Sequence, residues 1–439
     1  MVHPREGWRG HGLPRRRTVP SGYGPGGTGA DAAVSRRSLL KAVTALGGLA
    51  AAGVGAGALT GCASDLAGTG TVPLPRPNHP VTWPVFPRNQ PIKSGLAAER
   101  DATLQIYTWE AYINQACVNA FAKKFKCKAE ITTFNTMDEA MSKLRSGGVS
   151  FDLLIGATVD VLGQLIEGQL VQPMNHSYLP NIDQAWPDFT NPFYDQNWQY
   201  TVPYTIYTTG ISWRKDLVPE NPYTMKNPWA MPWQAKYRGR VAILDDYREG
   251  ISLGLMKNGI YNLNTTDYRQ IGLARQSLQD LSSLVNLRID NNDYTEVPTG
   301  DTWIHHAWSG DMAAAAYYMP KGVPVDVVGY WFPADGRGPV ANDTNVVLKS
   351  ATNPVLAHEF LNYMLDLPNV LENISFNGYM QPANGVTPKV LVKEQILPPS
   401  LLSTVVLPSY FRRGISELQL PVDADALWQQ AWLVVSNGI

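Results

Sequence analysis

The chain has 439 residues, 44% of them hydrophobic, more than one core ordinarily serves, so a globular protein of two domains or lobes is expected. Its formal charge is −1, but residues 1–61 hold eight Lys/Arg and two Asp/Glu of the 36 and 37 in the whole, which leaves 28 against 35 and a charge of −7 for the rest. An acidic body of this kind argues against a nucleic-acid partner and suits a cationic ligand.

Residues 1–61 read as an export signal rather than as part of the fold. SRRSLLK at 35–41 is a twin-arginine pattern, an Ala/Gly-rich apolar run follows, and the run ends in LTGC at 59–62. A small residue before a cysteine, directly after such a run, marks a lipoprotein processing site at which Cys62 is acylated and begins the mature chain. The apolar run is too weakly hydrophobic for a transmembrane anchor and lacks a basic stop-transfer flank. The expected location is therefore outside the cytoplasmic membrane, tied to it by lipid. Residues 62–98 read as a tether, with prolines at 73, 75, 77, 80, 84, 87 and 91 giving an extended spacer. Within it VTWPVF at 81–86 is apolar enough to lie against the body.

From there strands and helices alternate. Strands are expected at 104–108, 129–134, 151–155 and 200–204, with helices at 114–125, 137–145 and 159–167 between them. The pattern restarts with a strand at 241–244 and helices at 250–257 and 268–285. Then come a strand at 302–308, a helix from 311, a strand at 325–328, a late strand at 345–348 and a helix at 355–365. Strands alternating with helices of this length give a mostly parallel sheet with helices on both faces, here twice over. The late strand returns to the first lobe, so two crossings join the lobes. Two cysteines follow the signal, Cys117 and Cys127. A helix between them holds their Cα atoms about 12–15 Å apart at 1.5 Å per residue, beyond the roughly 7 Å that a disulfide spans.

Enzyme signatures are missing: there is no phosphate-binding G-x-x-x-x-G-K-[ST], no G-x-S-x-G, no H-E-x-x-H, no C-x-x-C and no dinucleotide fingerprint. No cofactor is expected. His305 and His306 are adjacent on a strand and point to opposite faces, a poor metal pair. In VAILDDYREG at 241–250 four apolar residues run into a burst of charge, which places Asp246 and Glu249 at the carboxyl end of a strand, where open α/β sheets bind ligands. The plain alternative is a helix cap, Asp at the start and Glu three residues on. Trp109 and Tyr112 follow the first strand and Trp308 follows the segment 302–307. Aromatic faces attract cations and pack on methylenes, so acids and aromatics together suit a slender polycation. Paired carboxylates and 13 tryptophans also suit a sugar-binding protein or a secreted glycoside hydrolase.

Five segments, IYTWEAY at 106–112, VPYTIYTTGI at 202–211, ILDDYRE at 243–249, AWSGD at 307–311 and FNGYMQP at 376–382, resemble in this order the spermidine/putrescine-binding proteins of ABC importers, over about residues 102–430. The resemblance implies an α/β type II periplasmic-binding-protein fold, in which two lobes of mostly parallel sheet flanked by helices are joined by two crossing strands and hold the ligand between them. Lobe 1 would comprise 99–206 and 344–385 and lobe 2 207–343, with 386–439 a C-terminal helical segment that the pattern assigns to neither. The implied ligand residues are Trp109, Tyr112, Asp246, Glu249, Trp308, Asp343, Tyr379 and Gln419. The implied partners are a polyamine and permease subunits, the protein itself being a monomer and not an enzyme. Where the family has a serine, a tyrosine and a tryptophan, this chain has Ala157, Val159 and Ala341, so its aromatic box is expected to be thinner.

Overall fold

The structure is a computed structural model that describes residues 73–438; the expected export signal and Cys62 lie outside the described residues. The elements that position the site are β1 (Thr103–Trp109), α1 (Gln115–Phe125), β2 (Lys128–Phe134), α2 (Met137–Ser146), β3 (Leu153–Thr158), α3 (Val159–Glu167) and β4 (Val202–Arg214). They continue with β5 (Val241–Ile243), α4 (Tyr247–Lys257), α5 (Tyr268–Val285), β6 (Arg288–Ile289), α6 (Asp293–Thr299), β7 (Ile304–Trp308) and α7 (Ser309–Ala313). Then come β8 (Val328–Trp331), β9 (Val340–Val347), α8 (Pro354–Leu365), α9 (Leu367–Asn377) and α10 (Val422–Ser436). No helix among the described residues is long and apolar enough to cross a membrane.

The strands follow the order β2-β1-β3-β9-β4-β7-β5-β6, with β8 also on β4. β1 pairs parallel with β2 and β3, and β5 with β6 and β7. The antiparallel pairings all involve β4 or β9. β4 belongs to both groups: residues 202–208 pair with β9 and residues 209–214 with β7 and β8. Its 13 residues are all buried and reach about 43 Å at 3.3 Å per residue. The chain thus leaves the first strand group along β4 and returns to it through β9.

Three expected strands change. The strand at 200–204 is the opening of β4, and the one at 345–348 is the end of β9. Both strands run beyond their apolar stretches, because their remaining residues, such as Thr205, Thr208, Thr209, Asn342, Asp343 and Thr344, are polar yet buried, a pattern an apolar criterion passes over. The strand at 325–328 is a short 3-10 turn over Val325–Val327, held by the preceding Pro324, with β8 beginning at Val328.

Each strand group has its own packing. Leu104, Ile106, Val118, Phe121, Leu153, Val202 and Phe360 form one core around β1, β3, α1 and α8. In the other, Val241, Ile243, Ile251, Leu255, Leu278 and Trp428 join β5, α4 and α5 to α10. The C-terminal helix α10 therefore packs on α4 and α5. The segment after Pro73 lies on the body. Trp83 is 2% exposed and its indole N–H donates to the Tyr194 carbonyl at 2.7 Å. The Tyr200 hydroxyl donates to the Pro84 carbonyl at 2.7 Å, and the Asn89 amide to the Val171 carbonyl at 2.8 Å.

Candidate binding site

Successive residues of a strand face opposite ways, so β4 presents Thr205, Tyr207 and Thr209 on one face, and each meets a polar group of the candidate site. The hydroxyls of Thr205 and Tyr112 share a hydrogen bond. The Tyr207 hydroxyl donates to Asp343 Oδ1 at 3.3 Å and that of Tyr112 to Asp343 Oδ2 at 2.6 Å. The Thr209 hydroxyl donates to Glu249 Oε1 at 2.8 Å, an oxygen that also accepts the Trp308 indole N–H at 2.7 Å. Around these polar contacts stand rings at right angles to one another: Tyr112 against Tyr379 at 5.1 Å, and Tyr207 against Tyr379 at 5.7 Å and Trp308 at 6.3 Å.

The wall that carries Trp109 and Tyr112 depends on Gly156. The β3/β9 register shifts between Ile155 and Ala157, and Gly156 sits at that bulge with φ of +87°, a region open to glycine. A Cβ there would come within 2.7 Å of both the Trp109 and Tyr112 rings. The Trp109 N–H donates to the Gly156 carbonyl at 2.8 Å and its ring packs on Phe134, so Trp109 shapes this wall and bonds none of the acids. Tyr379 is seated in the same manner against Gly310 of α7, where a Cβ would run into the ring.

Asp246 is the N-cap of α4. One carboxylate oxygen accepts the backbone N–H groups of Arg248 at 2.8 Å and Glu249 at 3.1 Å, so the helix-cap interpretation holds for this residue. It does not hold for Glu249, which turns away from the cap to Thr209 and Trp308. Arg248, the cation within the same cluster, is committed elsewhere: its guanidinium donates to the Leu418 and Leu263 carbonyls and lies over the Trp428 ring. Neither Glu249 nor Asp343 forms a salt bridge among the described residues, although they are only 6% and 4% exposed. Glu249 Oε2 has no hydrogen-bond partner there.

Burial dominates the electrostatics. It pushes Asp343 up to about 7 against the pull of the Tyr112 and Tyr207 hydroxyls. It holds Glu249 well above the usual carboxylate range, with Glu417 and Asp246 adding repulsion. Asp246 is pushed to about 6 despite its cap hydrogen bonds. Glu417 is raised to about 7, again mainly by burial, and accepts the Ser252 hydroxyl at 2.9 Å. A positive charge joining them would favour their ionised form.

Gln419 stands at the edge of this set. It packs on Gly163 of α3, its Oε1 has no partner among the described residues, and its backbone carbonyl accepts Arg76 at 2.8 Å. The structure thus brings Tyr112, Asp343, Glu249, Trp308 and Tyr379 into one connected group, places Asp246 beside it as a cap, and leaves Trp109 and Gln419 at its margins. Sequence reasoning missed Tyr207, Thr205, Thr209 and Glu417. The alternation T-x-Y-x-T at 205–209 was the available signal for the first three; Glu417, in an irregular segment, carried none. It also missed two neighbouring carboxyls, the buried Asp293 and the half-buried Asp311. Burial, then Asp311, holds Asp293 well up, while burial raises Asp311 to about 6 against the pull of Asp293 and the Tyr379 hydroxyl. His305 and His306 are both fully buried, and His306 is held down to about 3 by burial. Among the described residues no three His, Cys, Asp or Glu side chains are grouped to hold a metal ion.

A model of the family described as bacterial extracellular solute-binding protein matches residues 116–397. The spermidine/putrescine-binding periplasmic protein of Escherichia coli (strain K12) is 28% identical over 291 residues, 66% of this chain and 80% of its own length. A putrescine/cadaverine-binding protein of Pseudomonas aeruginosa is 26% identical over 280 residues, 63% of this chain and 77% of its own. Among solved structures, a spermidine/putrescine ABC transporter substrate-binding protein from Streptococcus pneumoniae superposes with a TM-score of 0.62 at 21% identity, covering 77% of this chain and 99% of its own. A lipoprotein of Treponema pallidum superposes with a TM-score of 0.63 at 20% identity, covering 76% and 99%. At these identities the structural likeness carries the fold, which is that of two-lobed type II periplasmic binding proteins.

Proposed function

The chain belongs to the family of bacterial extracellular solute-binding proteins, and from that premise we propose that it captures a polyamine of the spermidine/putrescine kind outside the cytoplasmic membrane and delivers it to an ABC permease. Proteins of this family bind solutes and are not enzymes. The observation that carries the reading is the pair of buried carboxyls, Asp343 and Glu249, set among tyrosine and tryptophan rings with no Lys or Arg among the described residues bonded to either. A buried carboxylate without a counter-charge is costly. A ligand with two or more ammonium groups would supply the missing charges, and the rings would pack on its methylenes.

The ligand would lie between lobe 1, comprising 99–206 and 344–385, and lobe 2, comprising 207–343. Its contacts to both would favour a closed arrangement by their differential affinity. Asp246, Trp109 and Gln419 would complete the ligand shell. The protein would act as a monomer, held at the membrane by lipid on Cys62. The LTGC sequence at 59–62 supports that anchor, and uptake of labelled fatty acid should be lost in Cys62→Ala.

A thermal-shift panel of amines, sugars and amino acids tests the reading, because a specific ligand stabilises the folded protein by mass action. Spermidine or putrescine should raise Tm. Stabilisation by an oligosaccharide and by no amine would instead favour a sugar-binding protein.

A further inference from the structure

Tyr207 lies at the centre of the candidate site, yet neither the sequence pattern nor the family resemblance singles it out. In the β4/β9 ladder it stands directly opposite Ala341. Directly opposed residues of an antiparallel pair project to the same face with Cβ atoms about 4.5–5.5 Å apart, and Asp343, two residues on from Ala341, shares that face. Tyr207 and Ala341 both belong to one packed cluster, in which β4 supplies a ring opposite the small side chain of β9. The ring meets Trp308 and Tyr379 edge to face, and its hydroxyl reaches Asp343. Trp308 in turn donates to Glu249, so Tyr207 stands in a continuous line of contacts from one buried carboxyl to the other.

We propose that Tyr207 is the specificity-determining residue of this site, its ring forming the wall between Asp343 and Glu249 along which the methylenes of an alkyl diamine lie, so that its bulk sets the chain length accepted. This rests on the amine reading given above. A ring that separates two cation-binding ends discriminates by fit, and in a fitted apolar passage one methylene changes discrimination by about 10- to 200-fold. The hydroxyl has the smaller part, since Asp343 also takes the Tyr112 hydroxyl.

Calorimetric titration of the full-length protein with putrescine, cadaverine, 1,6-diaminohexane and spermidine, on wild type, Tyr207→Phe and Tyr207→Ala, tests this. Wild type should rank the diamines steeply, and Tyr207→Phe should keep the ranking because the ring remains. Tyr207→Ala should move the preferred length up by at least one methylene, with the ratio between neighbouring diamines changing by about tenfold or more. Ala341→Leu, which narrows the same passage from the opposite strand, should move it down and keeps the test decisive if Tyr207→Ala does not fold. Equal weakening of every amine in Tyr207→Ala, or an unchanged ranking in both variants, overturns the proposal while leaving amine binding intact. Absence of any amine binding by wild type overturns the amine reading itself, and this inference with it.

Discussion

At the scale of single residues the site is a set of acids whose ionisation burial holds back, and this has a consequence for the empty protein. Asp343 titrates near 7 in the fold because it is buried, against about 3.9 when exposed. Between about pH 4 and 7 the folded state therefore holds a proton that the unfolded state has released, and stability falls as pH rises through that window. Glu417, also raised to about 7, acts in the same direction. The Tm of the ligand-free protein should fall between pH 5 and 7.5, and Asp343→Asn should make the decline shallower. An identical decline in the variant would show that this carboxyl is not the proton's site. Asp246 differs from Asp343 because it caps α4, and Asn caps about as well as Asp. The sequence made Asp246 and Glu249 visible as a charge burst after an apolar strand. It could not separate their roles, because a cap and a ligand contact use the same residue types at the same spacing; only the turn of Glu249 toward Thr209 and Trp308 does so.

At the scale of elements, β4 and the segment after Pro73 show where sequence pattern stops being informative. The regular helices α3 and α5 were legible to the residue, since their apolar spacing and their ends are local properties. β4 was legible for only its first few residues because its inward threonines and tyrosines are buried through hydrogen bonds to partners far away in the chain. The proline-rich segment was expected to be a spacer with 81–86 apolar enough to lie against the body, and Trp83 does anchor it there through ring burial and the Tyr194 carbonyl. Removal of a buried Trp typically costs about 3–5 kcal/mol. Trp83→Ala should accordingly lower the denaturation midpoint by an amount equivalent to a few kcal/mol in urea titration. A change below about 0.5 kcal/mol, the range typical of surface substitutions, would mean that the segment is a tether after all.

At the scale of the whole molecule, length and alternating strands and helices were enough to indicate a two-lobed α/β protein, while the expectation of a cationic ligand came from the acids and aromatics at strand ends. The resemblance of five segments named the family, and the family match over residues 116–397 bears it out. The pairing of Tyr207 with Ala341 could not be read from the chain, because it depends on the register of two strands more than 130 residues apart in sequence. In the proposed function Asp343 and Glu249 hold opposite ends of one polycation. Truncating one partner of a buried charge pair costs about 2–5 kcal/mol, roughly 30-fold to several thousandfold in Kd. The most direct measurement is calorimetric titration of wild type, Asp343→Asn and Glu249→Gln with spermidine and putrescine, with Asp245→Ala, an exposed neighbour, as control. Wild type should bind one amine per chain saturably, each site variant should lose at least about 30-fold in Kd, and the control should change much less. Amine affinity within about threefold of wild type in both site variants, a difference under 1 kcal/mol, would contradict that function.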